Sequence, residues 1–226
     1  RHSADGGEGN GALAMGVSPW MKAIVGGAAL LVLSTAPASA ETLSFDVFRN
    51  GSPFGSHVVT LTRQGEFLKV NSKLRMEVKL GPITVFTYQT ECNERWKAKQ
   101  LETLTCLTLK NGAKSRIDIK RFNERLAISI NGKDSRWLPN LAPISPWNMY
   151  AVNDSQTLAL EDGKVLPLAS KDFGKEKIKI GGKTMDARRI RYTSALVVDS
   201  WYDSRGRWLK AKFKASGENI EYRLKV

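Results

Sequence analysis

Residues 68–80 read Leu68-Lys69-Val70-Asn71-Ser72-Lys73-Leu74-Arg75-Met76-Glu77-Val78-Lys79-Leu80. Leu68, Val70, Ser72, Leu74, Met76, Val78 and Leu80 fall on one parity; Lys69, Asn71, Lys73, Arg75, Glu77 and Lys79 fall on the other. Period two over such a length predicts a long strand, or two strand segments bent at a bulge, with one wet face. Leu43, Phe45 and Val47 repeat the pattern upstream.

The same alternation recurs between glycine-containing turns. Asn111-Gly112 and Asn131-Gly132 bracket apolar rows at Ile117 and Ile119 and at Leu126, Ile128 and Ile130. Further along, Gly181-Gly182-Lys183 separates two strand patterns, residues 203–207 separate two more, and Ser216-Gly217-Glu218 leads into a last one ending at Val226. Glycine there supplies the positive φ that short hairpin loops need. About ten antiparallel strands in sequence must curl to hide their apolar side. The fold class is therefore all-β and mainly antiparallel: a curved meander sheet forming a barrel or half-barrel, with a two-sheet sandwich as the alternative.

One island departs from this pattern. Residues 138–154 hold Pro139, Pro143 and Pro146, then Trp147-Asn148-Met149-Tyr150. Ser145 before Pro146 fits a helix N-cap and first-turn position, predicting a short helix near 143–150 that plugs the sheet.

Met21-Lys22, the apolar run from Ala23 to Leu33 and Ala38-Ser39-Ala40 follow the order of a secretory signal peptide. The run is too short for a spanning helix of about 20 residues. The expected organisation is an upstream segment over 1–20, with Met15 or Met21 as initiator, a signal peptide over 21–40 and a single β domain over 41–226. That places the mature chain in the periplasm or outside the cell. Its net charge of +13 survives cleavage, because Arg1 and Lys22 offset Asp5 and Glu8. Such a charge attracts anionic lipid or lipopolysaccharide, or simply keeps the surface soluble; the compartment argues against nucleic acid.

Little points to catalysis. His57 is the single histidine after residue 40 and follows Ser56, whose side chain faces the other way on a strand. Gly181-Gly182-Lys183-Thr184 resembles the end of a phosphate-binding loop, but Lys177 occupies the place of its first glycine. Glu91 with Glu94, and Asp199 with Asp203, read as solvated or salt-bridged acids. No cofactor, metal site or enzyme activity is expected. Cys92 and Cys106 form one disulfide in an exported chain, or remain two buried thiols. The tryptophans, among them Trp96, Trp147 and Trp201, line an apolar ligand cavity or fill a core.

Several stretches resemble an exported proteobacterial family catalogued as domain of unknown function 6134: Asn50-Gly51-Ser52-Pro53-Phe54-Gly55-Ser56-His57; Tyr88 with Glu94-Arg95-Trp96 and Leu101; Asn111-Gly112; Ser145-Pro146-Trp147-Asn148; and Trp201-Tyr202-Asp203 with Gly206-Arg207-Trp208. The resemblance implies no activity. The closing meander is more loosely similar to half-barrel lipid and lipoprotein carriers of the envelope, which implies an apolar ligand. The expected function is binding a lipid or other apolar ligand, with an assembly role toward another envelope protein as the alternative and a hydrolase as a third reading. The ligand or plug residues are Pro146, Trp147, Asn148, Trp96, Trp201, Tyr202 and His57.

Overall fold

The computed structural model describes residues 39–149 and 154–226. Residues 1–20, the signal segment up to residue 38, and Tyr150 lie outside the described residues. The strands in chain order are β1 (Ser39–Arg49), β2 (Ser52–Gln64), β3 (Phe67–Leu80), β4 (Ile83–Lys97), β5 (Gln100–Lys110), β6 (Ala113–Phe122), β7 (Arg125–Ile130), β8 (Lys133–Pro139), β9 (Gln156–Leu158), β10 (Val165–Pro167), β11 (Ala169–Ile180), β12 (Lys183–Thr193), β13 (Val197–Tyr202), β14 (Trp208–Ala215) and β15 (Glu218–Leu224).

β3 is the strand that the alternation at 68–80 calls for. It runs unbroken and its register against β4 shifts between Val78 and Lys79. Leu68 and Val70 are buried, while Lys69, Lys73, Arg75, Glu77 and Lys79 face solvent. The turns show why the meander stays in register. At Asn111-Gly112 both residues take positive φ, 49° and 83°, as a two-residue hairpin loop with matching twist requires. The Asn111 side chain then replaces a peptide group: its Oδ1 accepts from the Thr87 N–H at 2.9 Å while its own N–H donates to the Thr87 carbonyl. Asn131 treats Arg116, and Asn50 treats Asn219, in the same way. Each turn thus prolongs the ladder onto the strand beyond its own hairpin.

Thirteen strands form one antiparallel sheet in the order β11-β12-β13-β14-β15-β1-β2-β3-β4-β5-β6-β7-β8. The chain's two halves are joined through its ends, because β15 pairs with β1, Leu224 opposite Phe45. The sheet curves but is not closed: β8 and β11 are its edges. β11 is blunted by a register shift between Asp172 and Lys175 and by outward Lys171, Lys177 and Lys179. Inward residues from the strands make one apolar core, including Phe45, Val59, Leu104, Ile128, Ile190 and Trp208.

Between the two edges the chain turns inward. The short pair β9–β10 lies in residues 154–168, and Pro143 bridges to Leu158 beside it. At its tip, Gly163 approaches the Ile128 and Ile130 side chains of β7. Glu161 reaches Lys110 at 2.8 Å, at the far end of β5. This segment runs along the concave face and covers apolar residues that an open sheet leaves bare. The short helix expected near 143–150 is absent from the described residues. Residues 145–148 instead form a single turn, the Asn148 N–H donating to the Ser145 carbonyl at 3.0 Å. Pro146 occupies the second position of that turn, where its fixed φ is favourable. The Ser145 hydroxyl, which a helix cap would direct to its own backbone, points to Glu94.

The candidate ligand-binding mouth

Antiparallel order puts the start of β1, the ends of β2, β4 and β13, and the turns that follow them at one end of the sheet. The chain leaves β8 at this end, and Leu141, Ser145, Trp147 and Asn148 are buried in it. Cys92, Glu94 and Trp96 alternate along β4 and face inward beneath this segment.

Glu94 is the hub. Its carboxylate accepts from the Trp96 indole at 2.7 Å, the Ser145 hydroxyl at 3.4 Å and the Trp147 indole at 3.5 Å. Burial pushes its carboxyl up to about 7, and the three neutral donors only partly oppose that shift. The expectation of a solvated or salt-bridged acid holds for Glu91, which is exposed and pairs with Lys73 at 3.1 Å. It is corrected for Glu94, whose strand parity sends it into the core. An acid in the otherwise apolar row 92-94-96 was the signal available in the sequence.

The Tyr202 hydroxyl, from β13, donates to the Asn148 carbonyl at 3.3 Å and ties the same loop to the opposite wall. The structure therefore brings together Pro146, Trp147, Asn148, Trp96 and Tyr202. Trp201 is elsewhere. Its indole N–H donates to Glu176 on β11 and its ring lies near Arg189 and Lys210, its register partners, on the opposite face of β13 from Ser200. His57 is also apart. It pairs with Leu74, whereas Leu61, four residues further along β2, pairs with Val70 beside Glu94. That spacing is about 13 Å along the strand. The His57 Nε2 shares a 2.7 Å hydrogen bond with Ser72 Oγ, and its ring stands edge-on to Trp208 and Tyr222. Burial lowers its pKa to about 4, so it is a neutral core histidine at neutral pH.

Cys92 and Cys106 are direct partners on β4 and β5 and are joined by a disulfide, with Cα atoms 4.1 Å apart.

Above the Trp147 loop lies a cleft of about 730 Å³. Leu43, Leu61, Leu68, Trp147 and Met149 make its apolar floor; Arg63, Lys99, Arg188, Arg205 and Arg207 stand around it, with Glu41 as an acid among them. These cations come from the end of β2, the β4–β5 turn, the middle of β12 and the β13–β14 loop, so sequence spacing holds no trace of their gathering. Among the described residues, no group of three or more His, Cys, Asp or Glu is placed to hold a metal ion.

A family model described as a domain of unknown function, DUF6134, matches residues 45–225. The chain belongs to this family. The DUF6134 match covers nearly all of the described strands, from Phe45 in β1 to the end of β15. No curated protein matches the chain in sequence. Among solved structures, a β-barrel-like protein of domain of unknown function DUF1849 from Brucella abortus superposes with a TM-score of 0.63, over 81% of this chain and 94% of that one, at 7% identity. At that identity the likeness is one of fold: this DUF6134 chain has a β-barrel-like architecture.

Proposed function

We propose that this protein is a non-catalytic binding module of the bacterial cell envelope, holding a lipid or other apolar ligand in the cleft at the open end of its sheet. The observation that carries the reading is the floor of that cleft. Leucines from β1, β2 and β3 and the Trp147 ring meet in a concavity whose volume falls in the ~300–1,000 Å³ range of small-ligand sites. Deeper in, the core and the β9–β10 segment fill the concave face, so a ligand seats at the mouth rather than through the length of the sheet. Native mass spectrometry of protein recovered without detergent tests the idea. An adduct that organic extraction removes is expected; no adduct, together with no uptake of a fluorescent fatty-acid probe, overturns it.

Export accompanies this reading. Cleavage after Ala40 leaves Leu43 as the first buried residue, so the cut spares the core. N-terminal sequencing of envelope-fraction protein should begin at Glu41; an intact cytoplasmic chain overturns the assignment.

A second reading, an assembly role, is favoured by one feature. The β3–β4 hairpin extends past the paired parts of β2 and β5, and its tip exposes Leu80, Ile83 and Val85 by 68%, 64% and 48%. Replacing all three by Ser should abolish capture of an envelope partner under this reading and leave ligand uptake intact under the first.

A further inference from the structure

Resting on the ligand-binding reading, we propose that the ligand carries an anionic headgroup, a phosphate or carboxylate, held by Arg63, Lys99 and Arg205 above the apolar floor. Among the described residues, part of the positive charge at the mouth has no carboxylate to answer it. Two cations at the mouth already have carboxylate partners. Arg188 is bound to Asp172, and Arg207 lies 3.1 Å from Asp203 and 3.9 Å from Glu41. Arg63, Lys99 and Arg205 line the same cleft and make no ion pair among the described residues. All three are exposed.

The nearby acids are committed elsewhere. Asp203 Oδ1 accepts from the backbone N–H groups of Arg205 and Arg207, both at 2.9 Å, which shapes the β13–β14 loop. Its other oxygen faces the Arg207 guanidinium. Asp203 thereby directs the loop without neutralising the Arg205 side chain. Glu41 is directed to Arg207. Three like charges converging from the end of β2, the β4–β5 turn and the β13–β14 loop repel one another unless an anion joins them. Guanidinium forks suit the planar or tetrahedral oxygens of carboxylate and phosphate. Leu43, Leu61, Leu68 and Met149 directly beneath ask for an apolar tail on the same molecule.

Isothermal titration calorimetry on the mature chain tests this with four probes below their aggregation limits: laurate, dodecyl phosphate, dodecanol and inorganic phosphate. Laurate or dodecyl phosphate should bind about ten-fold or more tightly than dodecanol, as expected for charge-assisted hydrogen bonds. Arg63→Gln with Arg205→Gln should erase that advantage and leave the thermal midpoint unchanged. Arg63→Lys with Arg205→Lys keeps the charge and should retain part of it. Equal binding of dodecanol and the anionic probes, indifferent to the variants, overturns the headgroup while the apolar reading stands. Inorganic phosphate binding as tightly as dodecyl phosphate overturns the amphiphile. Binding of no chain-bearing probe overturns the proposal together with the ligand-binding reading beneath it.

Discussion

Trp147 stands edge-on to Trp96, their ring centroids 5.7 Å apart and their planes at 82°, and both indole N–H groups point to Glu94. One ring belongs to the sheet and the other to the loop that enters its mouth. The pair therefore measures how firmly the loop is docked. Edge-to-face aromatic pairs contribute about 0.5–1.5 kcal/mol beyond their buried area, and the shared carboxylate adds direction.

Trp147→Ala should destabilise the fold by about 3–5 kcal/mol, since the ring is only 5% exposed and its removal leaves a cavity. Trp147→Phe keeps most of the packing and loses the indole donor, so its cost should be about 1–2 kcal/mol. Guanidinium unfolding of both variants measures the difference. A Trp147→Ala protein as stable as wild type would show that the loop contributes contact surface but no stability.

Glu94 and His57 should impose opposite pH dependences. Glu94 is raised from 4.5 to about 7, so the folded chain holds a proton that the unfolded chain releases between those values. Stability from this group falls as pH rises through that window, by about 3 kcal/mol in full. His57 is lowered from 6.5 to about 4, so the unfolded chain takes up the proton first and stability rises with pH between 4 and 6.5. The two slopes offset each other between about pH 4.5 and 6.5. Glu94→Gln should therefore gain stability from pH 4 to 6.5, and His57→Gln should lose it from pH 4.5 to 7. Urea midpoints across pH 4–8 check both; parallel profiles for wild type and variants would refute the assignment.

Gly163 tests whether the β9–β10 tip is seated on β7. Its φ is +69°, and an added Cβ would lie 2.9 Å from the Cδ1 atoms of Ile128 and Ile130. Gly112 also has positive φ, at +83°, but opens to free space. Gly112→Ala should cost about 1–2 kcal/mol, the left-handed penalty alone. Gly163→Ala should cost more, because the tip must also lift from the two isoleucines. Equal thermal shifts in the two variants would mean that the tip does not press on the sheet.

The Cys92–Cys106 bridge closes a loop with a sequence separation of 14. Constraining a loop of that size in the unfolded chain contributes about 3 kcal/mol. The Cys92→Ala/Cys106→Ala variant should unfold at correspondingly lower urea than oxidised wild type, and alkylation of wild type prepared without reductant should find no free thiol. Unchanged stability would count against the bridge as a structural element.

The period-two rows and their turn residues were enough to place the long strands that carry them, because burial alternates along one strand and positive φ at Asn-Gly is a local demand; about ten strands were legible in this way where the described residues form fifteen. Leu68 to Leu80, the turns at Asn111 and Asn131, and the C-terminal hairpins are all legible for that reason. The pairing of β15 with β1, the open edges at β8 and β11 and the inward path of β9–β10 are relations between residues far apart in the chain, and no local pattern encodes them. Ser145-Pro146 illustrates the limit: its local chemistry suits a helix start as well as a turn, and the choice fell to the turn when the serine hydroxyl found Glu94 across the core. Glu94 itself could be read as a surface acid until the sheet curved over it. Arg63, Lys99 and Arg205 became neighbours only because three separate strand ends meet at one mouth, and charge acts through space rather than along the chain.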